Sequence, residues 1–495
     1  MQLPPRIPWA APELPPTWYF HPVTSKLIGR SPMNSPYVIT RRRLLKAIAS
    51  VGAVSATGTL EELGLSAALA QTAPVNDYKA IVCVFLFGGN DSNNLVVPMD
   101  TAEYNLYVTA RGTQASGGIA LTQAQLLGIK PKTLNKDYGL HPAMTDLKTL
   151  FDAGKMAVLT NVGTLSQPLT KAEYIASAQA RPDQLFSHSD QQLAWQTSVA
   201  KGVERTGWGG RLADVMGPSN GSNFPMVTSI AGSAIYTNGN TPRVVAIPST
   251  GTFGLSTFGT TAQTTARETA LNNIMNLDAG NDFVREADDV LAQALGASDV
   301  LNPIITANNT TITPIFANAT SGIGTQLRQV AKLIEARNTI GLKRQIFFVS
   351  LGGFDTHTNE INSHNTLYGQ LAPALKAFYE ATVQMGIADK VTTFTMSDFG
   401  RTLKAASGGG SDHGWGNHQL IIGGAVRGQE FYGTFPNHTL GGPNDVSTNG
   451  RWIPTTSVDQ YGATIAKWFG VSPSNMPIVF PNINRFSNQD LGFLA

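Results

Sequence analysis

The sequence predicts an α/β protein: a doubly wound, mostly parallel sheet with helices on both faces and a loop-rich insertion. Three observations carry this reading. Lys79–Phe87 (KAIVCVFLF), residues 345–351 (QIFFVSL) and residues 391–397 (VTTFTMS) are near-continuous apolar or β-branched runs, as expected of strands buried on both faces. Helix-period segments at about 324–340 and 366–386 stand between the later runs, and strand–helix alternation of this kind gives parallel pairing. Each run ends in a turn bearing Asp, and ligands of such sheets gather at the strands' carboxyl ends.

Taken in order, residues 1–32 are proline-rich and read as a disordered N-terminal extension, with Met33 a candidate start. Residues 33–70 read as a twin-arginine signal peptide. Thr40-Arg41-Arg42-Arg43-Leu44-Leu45-Lys46 is followed by a small, apolar stretch from Ala47 to Leu60 and by the small-x-small triplet Ala68-Leu69-Ala70. The apolar stretch is shorter than the ~20 residues a membrane span needs. The expectation is export, already folded, through the twin-arginine translocase to the periplasm or beyond, with no stable membrane span.

Residues 71–495 form the expected α/β domain. After the first strand come a helix at 143–153, a short strand at Met156–Thr160 and a helix at 189–200. Residues 216–322 are rich in Ser, Thr, Gly and Asn, with one helical stretch near Thr265–Leu295, and read as an inserted cap. Regular alternation then returns, and Gln419–Ile422 and the amphipathic Asp459–Phe469 (DQYGATIAKWF) close the series.

Charge narrows the function. Of 35 Lys/Arg and 33 Asp/Glu, residues 1–70 hold seven and three, which leaves 28 and 30 in the remainder. The basic balance belongs to the signal, and no nucleic-acid surface is expected. The one cysteine, Cys83, lies inside an apolar strand and reads as a buried small hydrophobe.

The chemistry is concentrated at the strand ends. GGNDSNN (88–94) offers Asp91 as a metal ligand and Ser92 beside it, or else a plain Gly-Asn-Asp turn. GGFDTH (352–357) places Asp355 and His357 on one side of an extended segment, where they can chelate an ion. SDFGRT (397–402) sets Asp398 at a third strand end. Arg401 then either holds an anionic substrate or forms an Arg–Asp bridge that organises the loop. SDHGWGNH (411–418) brings Asp412, His413 and His418 together among glycines, a poor core pattern and a good ligand pattern. LFSHSDQQLAWQT (185–197) puts Ser187 and His188 just before a helix, where a nucleophile would be activated or a serine would cap. His141 reads as a capping or packing residue.

As a set, VFLFGGND, LFSHSDQQ, SLGGFDTH, TMSDFGRT, SDHGWGNHQLIIGGAVRG and DQYGATIAKWFG resemble the DUF1501 family, and through it the alkaline phosphatase and sulfatase superfamily. The resemblance covers nearly all of residues 78–475. It implies an alkaline phosphatase-like sheet and one or two divalent ions held by Asp and His. Zinc is the first expectation, with Mn, Fe, Mg or Ca as alternatives. It also implies a nucleophile at a helix N-terminus that attacks phosphorus or sulfur esters. On this chain Asp91 matches the first-strand metal Asp, and Asp355 and His357 the Asp/His pair of one metal. Asp398 matches a strand-end Asp usually followed by His. Here Phe399 follows, so His413 or His418 is expected to replace the missing ligand. Ser187 falls at the nucleophile's place, with His188 and Ser92 as the other candidates, and the absence of a Cys there argues against a formylglycine sulfatase.

The expected function is therefore an exported, metal-dependent hydrolase of small-molecule or glycan phosphate or sulfate esters. The alternative is a non-catalytic exported envelope protein that binds a glycan or partner and keeps metal only for structure.

Overall fold

The computed structural model describes residues 75–495 except 221–223, 242–243, 256–260 and 277–280. The extension and the twin-arginine segment lie outside the described residues.

Among the described residues, nine strands form the central sheet. They are β1 (Lys79–Phe87), β2 (Met156–Gly163), β3 (Val227–Ser229), β4 (Val244–Ala246), β5 (Arg344–Gly352), β6 (Val391–Ser397), β7 (Asn417–Gly423), β8 (Glu430–Gly433) and β9 (Thr456–Ser457). The order is β8-β2-β7-β6-β1-β5-β3-β4, with β9 paired to β2. Every pairing is parallel except those of β7, which runs against both β2 and β6. The expected sheet is present.

Period-two alternation divides the core. Ala80, Val82, Val84 and Leu86 of β1 face one apolar cluster, shared with helices α4 (Gly322–Glu335) and α5 (Glu360–Gln384). Ile81, Cys83 and Phe85 face the other, shared with α3 (Trp208–Asn220) and α6 (Val458–Phe469). Helices on both faces explain why β1 shows no polar alternation in sequence. Cys83 is buried and unpaired, as expected.

Two expectations are refined. The stretch 216–322 is not wholly an insertion, because β3 and β4 lie within it and extend the sheet beside β5. They are only three residues long, too short to register as runs in a Ser/Thr/Asn-rich background. The single helix expected near 265–295 is two, Ala262–Met275 and Asp282–Thr306. Only the second reaches the core, through Ala297, Leu301 and Ile305. No described helix is long and apolar enough to cross a membrane.

This topology builds the site. β1, β5 and β6 are adjacent and parallel, so the segments after Phe87, Gly352 and Ser397 emerge at one edge of the sheet. Antiparallel β7 enters at that edge instead of leaving it, so the residues before Asn417 arrive at the same place. Gly88 and Gly89 (φ 114° and 83°) make the first turn. A Cβ on Gly88 would lie 2.4 Å from the Asp355 amide nitrogen, and one on Gly89 2.4 Å from the Phe399 ring, so only glycine fits.

Candidate metal centre

Three imidazoles and one carboxylate converge above the β1–β5–β6 edge. Asp355 follows β5, and His357 stands two residues on. His188 is the first residue of helix α2 (His188–Thr197). His413 ends the strand Gly410–His413, which pairs with Arg401–Ala406 through Arg401↔His413. Oδ1 of Asp355 lies 3.0 Å from His357 Nε2, 3.2 Å from His413 Nε2 and 3.4 Å from His188 Nε2. The Nε2 atoms of His357 and His413 are 3.0 Å apart.

The far nitrogens decide the tautomers. His188 Nδ1 is 2.7 Å from Asp398 Oδ2, and His413 Nδ1 is 2.7 Å from the Phe186 carbonyl. Both partners can only accept, so both Nδ1 atoms carry hydrogen. His357 Nδ1 faces Asp412 Oδ1 at 3.4 Å in the same sense. Each neutral ring then aims an Nε2 lone pair at Asp355, which is itself an acceptor. Arg401 donates to Asp355 Oδ1 at 2.9 Å, but the inward lone pairs of the three rings are not met by it, and a divalent ion would meet them. Among the described residues, His188 Nε2 is buried and lacks any hydrogen-bond partner, as does Asp398 Oδ1. Ligand atoms around a tetrahedral zinc with bonds of about 2.0–2.1 Å lie roughly 3.3–3.4 Å apart, close to the separations found here. His188, Asp355 and His413 meet as a possible metal-binding group, and the residues fit a divalent ion.

Supporting contacts hold each ligand. Asp398 is fully buried. Its Oδ2 accepts from His188, from Gln192 Nε2 (2.9 Å) and from the Gly88 amide (3.2 Å). That bond to Asp398 raises the His188 pKa, although burial works against it. Burial lowers the His413 pKa, which favours the neutral, ligating ring. Burial alone would lift the Asp355 carboxyl, but the hydrogen bond and charge of Arg401 hold it below its usual range. Phe186 adopts φ 92°, a conformation a bulky side chain occupies only under strain, at about 1–3 kcal/mol. The conformation accompanies a carbonyl turned toward His413. Arg451 completes this grip: its Nε donates to the His413 carbonyl at 2.9 Å, and its guanidinium lies 4.3 Å over the Phe186 ring.

A family model described as "Protein of unknown function (DUF1501)" matches residues 78–449. The chain belongs to the DUF1501 family. No curated protein matches this DUF1501 member. Among solved structures it is similar to the soluble domain of lipooligosaccharide phosphoethanolamine transferase A from Neisseria meningitidis. That likeness has 10% identity and a TM-score of 0.30, and covers 83% of this chain and 95% of that one. It is also similar to the PsFucS1 sulfatase from Pseudoalteromonas sp., with 10% identity, a TM-score of 0.31, and 89% and 76% coverage. The Thermus thermophilus alkaline phosphatase matches at 12% identity and a TM-score of 0.24, over 71% and 64%.

Several nominated residues of this DUF1501 chain lie elsewhere. Asp91 is not in the cluster. It is fully buried and held by both terminal nitrogens of Arg111 at 2.7 Å, beside Glu360 and His364. Arg111 outweighs burial and lowers the Asp91 pKa, while burial and the Asp91 charge push Glu360 up. Asp91, Glu360 and His364 form a second possible metal-binding group, and the Arg111 guanidinium is bonded to two of its three members. His418 points into the interior: its Nδ1 accepts the Asn161 amide at 3.0 Å, its ring packs 4.8 Å from Phe435, and burial lowers its pKa to about 4. Ser92 is buried in the helical turn Ser92–Leu95. Ser187 is the N-cap residue of α2, but its hydroxyl bonds Asp190 rather than the cluster.

Arg401 resolves to the bridge reading. It is 1% exposed and its nitrogens are committed to Asp355 Oδ1 (2.9 Å), Gly88 O, Ser411 Oγ and Ser411 O. His188 turns its Nε2 toward Asp355, within the group of possible metal-binding residues. Asp398 and Asp412 sit behind His188 and His357 as orienting carboxylates. His141 caps, accepting from the Ala143 amide at 3.1 Å. Arg111, Gln192, Glu360, the Phe186 carbonyl and Arg451 were missed. Arg111, Glu360 and Arg451 belong to no motif; Gln192 and Phe186 lie within LFSHSDQQLAWQT, but a backbone carbonyl leaves no mark on residue identity.

Proposed function

We propose that this protein is a metal-dependent hydrolase of phosphate or sulfate esters. A single divalent ion, zinc before Mn or Fe, would be held by His188, His357, His413 and Asp355. The observation that supports it is the convergence of four acceptors, two of them turned inward by hydrogen bonds at their far nitrogens and a third, His357, with its far nitrogen 3.4 Å from Asp412.

The ion would supply Lewis acidity toward an ester oxygen and toward water. The chain does the rest. Asp398 fixes the His188 ring and raises its basicity. Asp412 keeps the proton of His357 on Nδ1. Arg401 balances the charge of Asp355 from below. Asp355 and His357 are 44% and 46% exposed at the side chain, so a bulky ester, a glycan among them, can reach the cage without a lid moving. Water is the attacking group in this reading, because Ser187 and Ser92 do not touch the cage. The segment Thr40–Lys46 supports delivery by the twin-arginine route, which carries folded cargo.

Elemental analysis of the purified protein beside an Asp355→Ala/His413→Ala double variant tests this. About one equivalent of a divalent ion in wild type, lost in a variant that melts normally, is the expected result. It would be followed by turnover of aryl phosphate or sulfate esters. A wild type that takes up no ion from Zn, Mn or Fe solutions would overturn the proposal.

A further inference from the structure

The buried Arg401 leaves the cage without its expected anion holder, and the structure offers another. Arg451 is half-buried and stands against two supports of the cage. Its Nε donates to the His413 carbonyl and its guanidinium plane rests on Phe186. Neither terminal nitrogen bonds any described residue, and no described carboxylate pairs with it. A guanidinium fixed at Nε and stacked on an aromatic ring keeps its two Nη groups as a preformed fork, the shape that matches two oxygens of a phosphate or sulfate.

Its mounting is rigid. The Asp445 carboxylate accepts the backbone amides of Gly441, Ser447, Gly450 and Arg451 at 2.9–3.0 Å, tying residues 441–451 into one knot. Gly450 O and Asn449 O in turn receive the amides of Leu403 and Lys404, on the strand that pairs with His413. The strained Phe186, two residues before His188, carries the ring that supports the guanidinium. Arg401 has the opposite character, because every nitrogen it owns is spent inside the protein.

We propose that Arg451 is the specificity-determining residue of the site and holds the tetrahedral oxyanion of a phosphate or sulfate ester beside the cage. This rests on the metal-hydrolase reading above. Arg451 grips two non-bridging oxygens and thereby orients the ester, while Phe186 supports the guanidinium.

The test uses zinc-loaded protein and inorganic phosphate and sulfate as probes, with binding followed by calorimetry and zinc counted in the same samples. Arg451→Gln should weaken the preferred anion roughly 10- to 100-fold with zinc stoichiometry unchanged, as expected for the loss of a charge-assisted pair. Arg451→Lys should recover part of the loss, and Phe186→Leu, which keeps the charge and removes its platform, should lose less than Arg451→Gln. With an ester substrate, Arg451→Gln should raise KM more than it lowers kcat. Wild-type affinity in Arg451→Gln, together with loss in Asp355→Ala, would put the anion on the ion alone. That would overturn the role of Arg451 and leave the metal reading standing. Failure of wild type to bind zinc would instead overturn the metal reading on which the proposal rests. If Arg451→Gln does not fold, the Lys and Leu variants decide: two unchanged affinities reject the proposal.

Discussion

Nδ1 of His188 sits 2.7 Å from Oδ2 of Asp398, a carboxylate with no solvent exposure that also takes the Gly88 amide and the Gln192 side chain. This pair joins the helix α2 start to the end of β6. Asp398→Asn keeps the acceptor oxygen and removes its charge. Zinc affinity should fall roughly 10- to 100-fold, as when the partners behind metal ligands are altered, with a melting temperature near wild type. Asp398→Ala leaves three donors facing an apolar void and should lower the melting temperature as well. Unchanged zinc affinity in Asp398→Asn would reject the orienting role.

Asp91 and Arg111 separate a structural pair from a ligand. Asp91→Ala leaves the buried Arg111 guanidinium with Glu360 as its one remaining carboxylate partner among the described residues and should cost about 3–5 kcal/mol, read by denaturant melts. Asp91→Leu/Arg111→Met should recover much of that loss. Zinc stoichiometry of the folded double variant should equal that of wild type. A loss of bound zinc there would return Asp91 to the ligand set.

Ser187→Ala tests the nucleophile expected at the helix start. With its hydroxyl tied to Asp190, the substitution should change kcat less than about threefold, far from the losses of several orders of magnitude that follow removal of a covalent nucleophile. A collapse of kcat with intact zinc would reinstate Ser187.

Asp459, in α6, is buried, and burial lifts its pKa from the usual 3.8 to about 7 despite a bond from the Asn482 amide. The folded state thus keeps a proton that the unfolded state releases near pH 4. Stability must then fall as pH rises from about 4 to about 7 and level off above, by roughly 2–4 kcal/mol in all. Asp459→Asn should flatten that slope and melt higher than wild type at pH 8. Parallel melting curves for the two proteins between pH 4 and 8 would contradict the burial argument.

Much of the frame was legible because it rests on burial. The runs ending at Phe87, Leu351 and Ser397 had no polar alternation, and that alone marks central strands. Asp355, His357 and His413 were legible as candidate ligands because Asp and His stand together just past strand ends, and the fold brings their side chains together. Illegible were the partners chosen by topology. Arg111 ends an unremarkable helix, yet it meets Asp91 in the interior, and no local pattern announces a meeting across the fold. His418 misled because its motif is continuous: β7 takes its side chain inward, toward Phe435, five residues after His413 turns outward. The strands β3 and β4 were hidden by length.

The register of β1 has a consequence for how the chain is born. Lys79 pairs with Arg344, and Ala80 with Val391. At about 5–20 residues per second, the ribosome takes roughly 15–60 s between making KAIVCVFLF and making either neighbour. For that interval this apolar strand lacks both of its sheet neighbours. Biogenesis, more than the finished protein's stability, is where this chain is exposed to aggregation, and a holdase that covers residues 79–87 should raise its yield more than any substitution in the core.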